Sequence, residues 1–133
     1  MRVNPKRIEK DIEEINKFNS TPNLGITRST FTKEYIGAIR YIIKELEQIG
    51  ADIQTMKGGN LRARFHGSEK NAPSVMIGSH VDSVFQGGMY DGVMGTVAAL
   101  EVVRIISENN ILHKNPIDFV VFAEEDGSRF SSV

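Results

Sequence analysis

The sequence contains no cysteine and no tryptophan among its 133 residues. Without cysteine, disulfides, thiolate metal ligands and cysteine nucleophiles are all excluded. Neither sign of charge is in excess, because 16 Lys and Arg stand against 17 Asp and Glu for a formal net charge of -1. This balance, spread along the chain, gives no electrostatic reason to expect a nucleic-acid partner. No apolar run approaches the ~18 residues of a membrane span, so we expect no membrane partner either.

The composition is that of an ordinary globular protein, with 40% hydrophobic and 25% charged residues. A length of 133 residues predicts one domain or part of one. The first eleven residues are charged and lack the apolar segment of a signal peptide. Together with the missing cysteine, this predicts a cytoplasmic location.

The N-terminal third predicts two amphipathic helices. The first covers residues 4–18, with Asn4 as N-cap and Pro5 at the first helical position. The second begins after Thr32, which can cap it, and stops near Gly50. Isoleucine and other apolar residues recur at helical spacing in both, which predicts one buried stripe on each. The stripes are Ile8, Ile12, Ile15 and Phe18 in the first helix and Ile36, Ile39, Ile43, Leu46 and Ile49 in the second.

The remainder alternates between strand and helix patterns. Short apolar or alternating runs at 53–55, 61–65, 74–79 and 117–123 predict strands, and residues 93–109 have helical periodicity. A strand, a helix and a strand in succession predict a βαβ crossover with parallel strands. The fold class is therefore α/β: a βαβ-containing mixed sheet flanked by helices.

Polar residues capable of chemistry follow the two most apolar strands. Residues 78–83 (GSHVDS) end one strand, residues 123–127 (AEEDG) follow the other, and residues 87–92 (GGMYDG) open the intervening helix. In open α/β sheets, ligands bind just beyond the carboxyl ends of the strands. We therefore expect all three segments to meet at one edge of the sheet.

These segments offer one imidazole and several carboxylates, a donor set that suits divalent metals. His80 can supply a neutral nitrogen, and Asp82 can hold its other ring nitrogen. Asp91 could bind two cations at once, and one carboxylate of residues 124–126 could take a proton from water. Taken singly, such features are more often a structural histidine, an Asp-Gly turn or a solvated loop. Their combination in one βαβ unit favours a metal site.

Residues 78–83, 87–92 and 124–130 together resemble the signature of the N-carbamoyl-L-amino acid hydrolases. That family includes allantoate amidohydrolases and β-ureidopropionases, and belongs to the dinuclear metallopeptidase superfamily of aminoacylases and carboxypeptidases. Residues 25–28 (GITR) and the Gly59-Asn60 turn are also similar to this family. The resemblance implies a metal-dependent amidohydrolase that uses two divalent ions, zinc or manganese. It also implies a small-molecule carbamoyl or ureido substrate and cleavage of a carbamoyl C–N bond.

The resemblance also assigns roles residue by residue. His80 would bind one metal and Asp91 would bridge both, with Asp82 orienting His80. Glu125 would be the general base, and Asp126 would stand where the family has a glutamate ligand to the second metal.

The aspartate at position 126 departs from the family pattern, because its side chain is one methylene shorter than glutamate. Three interpretations are open. The loop moves inward, or Glu125 binds metal while Glu124 becomes the base, or the second metal is held poorly.

The resemblance covers only the N-terminal portion of a metallohydrolase catalytic domain, over residues 1–133. The family's dimerisation domain and C-terminal part, with two further histidine ligands, are expected to lie outside it. The chain is then either half of a site that needs its remainder or a non-catalytic, self-associating fragment. The missing ligands favour the second, so this chain alone is expected to be inactive, and the motifs argue against a domain that binds nothing. Because the last strand leaves apolar surface uncovered, we expect a homo-oligomer.

Two histidines and the Ser128-Arg129 pair are not part of the predicted metal site. His66 and His113 have no companions of metal-ligating type, and both are expected to be exposed to solvent. Ser128 and Arg129 could contact substrate, but turn and surface roles are equally compatible with their position.

Overall fold

The computed structural model describes residues 2–127 and 129–130. The elements, in chain order, are α1 (Pro5–Asn16), α2 (Lys33–Glu47), β1 (Asp52–Thr55), β2 (Leu61–Phe65), β3 (Val75–His80), α3 (Val93–Glu108) and β4 (Ile117–Phe122). Their order and type confirm the predicted sequence of helices and strands.

The four strands form one mixed sheet in the order β1-β2-β4-β3. β2 pairs antiparallel with both β1 and β4, whereas β3 pairs parallel with β4. Helix α3 makes the crossover between the two parallel strands, which confirms the predicted βαβ unit and α/β class. His80 is opposite Phe122 at the ends of these strands, so the loops that follow β3 and β4 leave the sheet at the same edge.

Helix α1 begins as the sequence predicts. The Asn4 side chain accepts a hydrogen bond from the Arg7 backbone N–H, and Pro5 occupies the first helical position. This cap satisfies one of the N–H groups that a helix leaves without an intrahelical partner. Ile12 and Ile15 are buried, which confirms that the predicted stripe faces the core.

Helix α2 is rotated relative to the predicted stripe. Thr32 caps it as expected, but Ile36 is 41% exposed. Leu46 of the predicted stripe is buried, and Ile39, Ile43 and Ile49 pack against the core while partly exposed. The other fully buried positions are Tyr35, Ala38 and Ile42, which were not predicted. Apolar residues surround this helix on several sides, so their spacing alone could not decide which stripe is buried.

The core lies between the helices and one face of the sheet. Alternate residues of β2 and β4 point into it, among them Leu61, Ala63, Phe119 and Val121. On the opposite face Asp118 is buried beneath two arginines, Arg62 and Arg64, which donate to its carboxylate at 2.8 Å.

The edge strand β3 and the two histidines outside the site segments are more exposed to solvent than the core. On β3, Val75 and Met76 are exposed. His66 is 70% exposed as predicted. His113 is half-buried and not exposed as predicted, and its Nδ1 lies 2.8 Å from the carbonyl of Asn115. Within the described part of the chain, no helix combines the length and apolar character that crossing a membrane requires.

Candidate active site

His80 is the last residue of β3 and is only 6% exposed. Its backbone carbonyl accepts a hydrogen bond from the Thr96 hydroxyl at 2.9 Å, which ties the end of the strand to α3. Its ring packs against Gly92, which has a φ of 63° and so adopts a conformation that favours glycine. A Cβ at position 92 would lie 2.5 Å from the imidazole, so the absence of a side chain there gives the ring its place.

Two carboxylates face the Nε2 atom of His80. Glu125 Oε2 lies 3.2 Å from it and Asp91 Oδ1 lies 3.8 Å from it. Both carboxylate side chains are exposed at the sheet edge. The structure thus brings together residues from the ends of β3 and β4 and from the start of α3, as the sequence predicts.

Asp82 lies on the other side of the ring. The Nδ1 atom of His80 is 3.1 Å from the Asp82 carbonyl oxygen and 3.6 Å from its Oδ1. This neighbouring carboxylate, opposed by burial and helped by the charge of Glu125, raises the pKa of His80 to about 9. Burial alone would raise the pKa of Asp82, but His80 and the Asp126 N–H lower it below its ordinary value.

Asp126 does not face the imidazole. Its backbone N–H donates to Asp82 Oδ2 at 2.9 Å, and its own Oδ2 accepts from the Val84 N–H at 2.7 Å. These two bonds join the loop after β4 to the loop after β3. The carboxylate assigned to the second metal is therefore engaged with backbone.

Glu124 is turned away from the site. Its φ is 59°, unusual for a residue with a side chain, and its Oε1 accepts from the backbone N–H groups of Arg129 and Phe130. Burial would raise the pKa of Glu124, but these N–H donors lower it. This arrangement does not support the interpretation in which Glu124 is the base. The Arg129 side chain donates to the Thr30 carbonyl at 2.9 Å, and Ser128 lies outside the described residues.

The donor chemistry of the site fits a divalent metal. One imidazole and two carboxylates are ligand types that zinc and manganese both accept. Asp82 Oδ1 is buried without a hydrogen-bond partner and lies 3.6 Å from His80 Nδ1. It is therefore free to accept from that nitrogen if Nε2 binds a metal. Across residues 2–127 and 129–130, however, no three His, Asp or Glu side chains are already arranged to enclose an ion.

Arg28 supports the site, although the sequence pattern does not single it out. Arg28 is fully buried behind the loop that carries His80 and Asp82, and its Nε lies 2.5 Å from the Val81 carbonyl. The signal was present in the GITR segment, which the family resemblance included without assigning it a role.

Comparison with known proteins decides the family. The family model described as peptidase family M28 matches residues 60–132, which is more than half of the chain and includes all three site segments. The chain belongs to peptidase family M28. This M28 chain thus carries its candidate active site within the region that defines the family.

Individual relatives of this M28 chain are amidohydrolases. The N-carbamoyl-L-amino-acid amidohydrolase of Paenarthrobacter aurescens is 37% identical over 131 residues, which cover 98% of this chain and 32% of the relative. The allantoate amidohydrolase of Bacillus subtilis (strain 168) is 31% identical over 90% of this chain and 29% of its own length. A crystal structure of a hydantoinase/carbamoylase family amidase from Burkholderia ambifaria superposes with a TM-score of 0.93 at 30% identity, over 98% of this chain and 32% of the amidase.

These similarities confirm the predicted resemblance to the N-terminal portion of the carbamoylase-type enzymes. The chain spans about a third of the length of the relatives it matches.

Proposed function

We propose that this chain supplies part of the active site of a metal-dependent amidohydrolase. Its substrates would be N-carbamoyl amino acids or allantoate, cleaved at the carbamoyl C–N bond, as the names of its relatives suggest. The observation that carries the proposal is the meeting of His80 Nε2 with Glu125 and Asp91 at the carboxyl ends of two parallel strands. Ligand sites of open α/β sheets are found at this position.

Three side chains are proposed as metal ligands: His80, Asp91 and Asp126. Bound zinc or manganese would supply Lewis-acid polarisation of the scissile carbonyl and would lower the pKa of water. The hydrogen bond from Val84 to Asp126 Oδ2 fixes the direction of that carboxylate and competes with a cation for it. We therefore expect a second cation to bind more weakly than the first, in line with the shorter side chain at this position.

Glu125 is proposed as the general base. Its carboxylate is exposed at the sheet edge, where it can accept a proton from the attacking water and return it to the leaving nitrogen. Asp82 is proposed to orient His80 through the Nδ1 atom, so that Nε2 keeps its lone pair directed toward the cation.

Calorimetric titration of Zn²⁺ and Mn²⁺ into the purified chain tests the metal site. We expect micromolar binding that His80→Ala abolishes, because the substitution removes the one nitrogen donor. His66→Ala is the matched control, since His66 is an exposed histidine away from the site. Equal loss of binding in both variants, or no binding at all, would reject the proposed ligands.

Complementation tests the reaction. The chain would be mixed with the separately expressed remaining two-thirds of the Paenarthrobacter aurescens relative, and ammonia release from N-carbamoyl amino acids and from allantoate would be measured. We expect turnover only in the mixture, and loss of turnover with Glu125→Gln. Turnover that survives this substitution would contradict the role of Glu125.

A second candidate is a non-catalytic, self-associating fragment. It is favoured by the exposed edge strand β3, where Val75 and Met76 present apolar side chains beside unpaired backbone groups. Sedimentation at low micromolar concentration would show an oligomer that Met76→Lys reduces. A clean monomer for the unmodified chain would reject this candidate.

A further inference from the structure

The short segment between α1 and α2, residues 26–30, contacts the loop that carries His80 and Asp82. Ile26 and Gly87 form an isolated antiparallel bridge, with N–H···O distances of 3.0 and 2.8 Å in the two directions. The Thr27 hydroxyl accepts from the Gln86 N–H at 2.9 Å. The loop after β3 is therefore held along its length by a segment that belongs to no strand of the sheet.

Arg28 extends this contact into the interior. Its guanidinium is 1% exposed and donates to the carbonyls of Val81 at 2.5 Å, Ile15 at 2.9 Å and Phe18 at 3.0 Å. One side chain thus joins the residue between His80 and Asp82 to the C-terminal end of α1. A planar guanidinium can serve three carbonyls in fixed directions, which a lysine ammonium cannot reproduce.

Thr30 contacts the second site loop, the one that follows β4. Its hydroxyl accepts from the Glu124 N–H at 3.2 Å, and its carbonyl accepts from the Arg129 guanidinium at 2.9 Å. Thr30 itself is fully buried, and both bonds are partly buried. The residue that they fix, Glu124, directly precedes the proposed base.

The Arg28 guanidinium is held by backbone carbonyls and not by an ion pair with any of the described carboxylates. Burial lowers the pKa of Arg28 to about 10, and the charge of Asp82 opposes this effect.

We infer that Arg28 and Thr30 are positioning residues that fix the two site loops relative to each other, Arg28 through Val81 and Thr30 through Glu124. The inference rests on the proposed function for its meaning, because the loops matter as carriers of His80 and Glu125. The contacts themselves are a property of the metal-free chain and can be measured without metal.

The test combines amide resonances of the metal-free chain with zinc titration. Arg28→Lys should shift the resonances of residues 81–87 and weaken zinc binding about tenfold, as loss of an outer-shell partner does. Arg104→Lys is the matched control, because Arg104 is another buried arginine, bound to Asp11 and Glu45 away from the site. It should lower the free energy of unfolding while leaving both readouts unchanged.

Two conservative substitutions at Thr30 test the inference if Arg28→Lys does not fold. Thr30→Val removes the hydroxyl at nearly constant volume, and should move the resonances of residues 124–127 and weaken zinc binding. Thr30→Ser keeps the hydroxyl and should restore both. Folded Arg28 and Thr30 variants with wild-type resonances and zinc affinity would overturn the inference, as would an equal effect of Arg104→Lys. If the unmodified chain binds no zinc, the proposed function fails, and the resonances still decide the positioning role.

Discussion

Two arginines are buried among the residues that the structure describes, and their surroundings differ. Arg104, 3% exposed, lies in the helical layer and forms ion pairs with Asp11 and Glu45. Arg28, 1% exposed, lies behind the candidate site and donates mainly to backbone carbonyls. The helical layer therefore neutralises its buried cation with carboxylates, whereas the site region surrounds its buried cation with backbone carbonyl dipoles.

The difference shows two uses of a buried charge. In the helical layer the ion pairs connect α1, α2 and α3, and removing one member leaves another charge uncompensated. Behind the site the arginine satisfies carbonyls of loop and helix end, so its removal costs hydrogen bonds and alignment more than electrostatic balance.

The largest effect is expected at Arg104. Arg104→Met should lower the free energy of unfolding by about 3–5 kcal/mol, because it leaves the Asp11 carboxylate buried without its partner. Arg28→Met should cost about 1–3 kcal/mol, the loss expected for unsatisfied neutral acceptors. Urea denaturation measures both, with the exposed Arg40→Met as control. A greater loss at Arg28 than at Arg104 would reverse the comparison.

Two glycines sharpen the contrast at the backbone level. Gly92 and Gly50 both have positive φ, 63° and 76°, but a Cβ at 92 would strike the His80 ring while one at 50 would meet open space. Gly50→Ala should cost about 1–2 kcal/mol of backbone strain. Gly92→Ala should cost more, because the ψ of −43° lies outside the left-handed helical region and the added Cβ strikes the imidazole. Only Gly92→Ala should abolish zinc binding, measured by calorimetry. Loss of binding in Gly50→Ala would show that the effect is not local to the imidazole.

The helical layer should also give a pH dependence of stability. Burial would raise the pKa of Glu101, but hydrogen bonds from Arg7 and Asn4 outweigh it and lower the pKa below its ordinary 4.5. Since the folded-state value is the lower one, this stabilisation is present above pH 4.5 and is lost as the pH falls through the folded-state pKa. Glu101→Gln should lower the free energy of unfolding by about 1 kcal/mol at neutral pH. It should also make the loss of stability at acid pH less steep.

Thermal unfolding between pH 3 and pH 7 measures this effect. The exposed Glu47→Gln is the control, and should leave the loss of stability at acid pH unchanged. If stability falls equally steeply with and without Glu101, other carboxylates cause the acid sensitivity.

The fold was predictable because local signals agree with the tertiary structure. The Asn4-Pro5 start, the period change after Gly50 and the strand-helix-strand order all carry their meaning within a few residues. The buried face of α2 was not predictable, because Tyr35 and Ala38 compete with Ile36 for the core, and packing decides between them.

The sequence predicts which residues form the candidate site, but it does not predict where their side chains point. His80, Asp91 and Glu125 meet because the topology places them at one sheet edge. The positions of Glu124 and Asp126 depend on one positive φ and on bonds to distant backbone N–H groups, which a run of three acids does not reveal. The cytoplasmic location rests on the charged N-terminal residues and the missing cysteine, and it stays a prediction.

The smallest effect is expected at the surface of α1. It tests whether burial determines how much an ion pair contributes to the free energy of unfolding. Lys17 forms an ion pair with Glu14 one helical turn away, in contact with solvent. Such pairs contribute less than about 0.5 kcal/mol and are screened by salt. Lys17→Ala should therefore change the free energy of unfolding by no more than this in urea titrations, and the difference should vanish in 1 M salt. A loss comparable to that of Arg104→Met would mean that exposed and buried ion pairs contribute alike here, and that burial does not explain the large effect expected at Arg104.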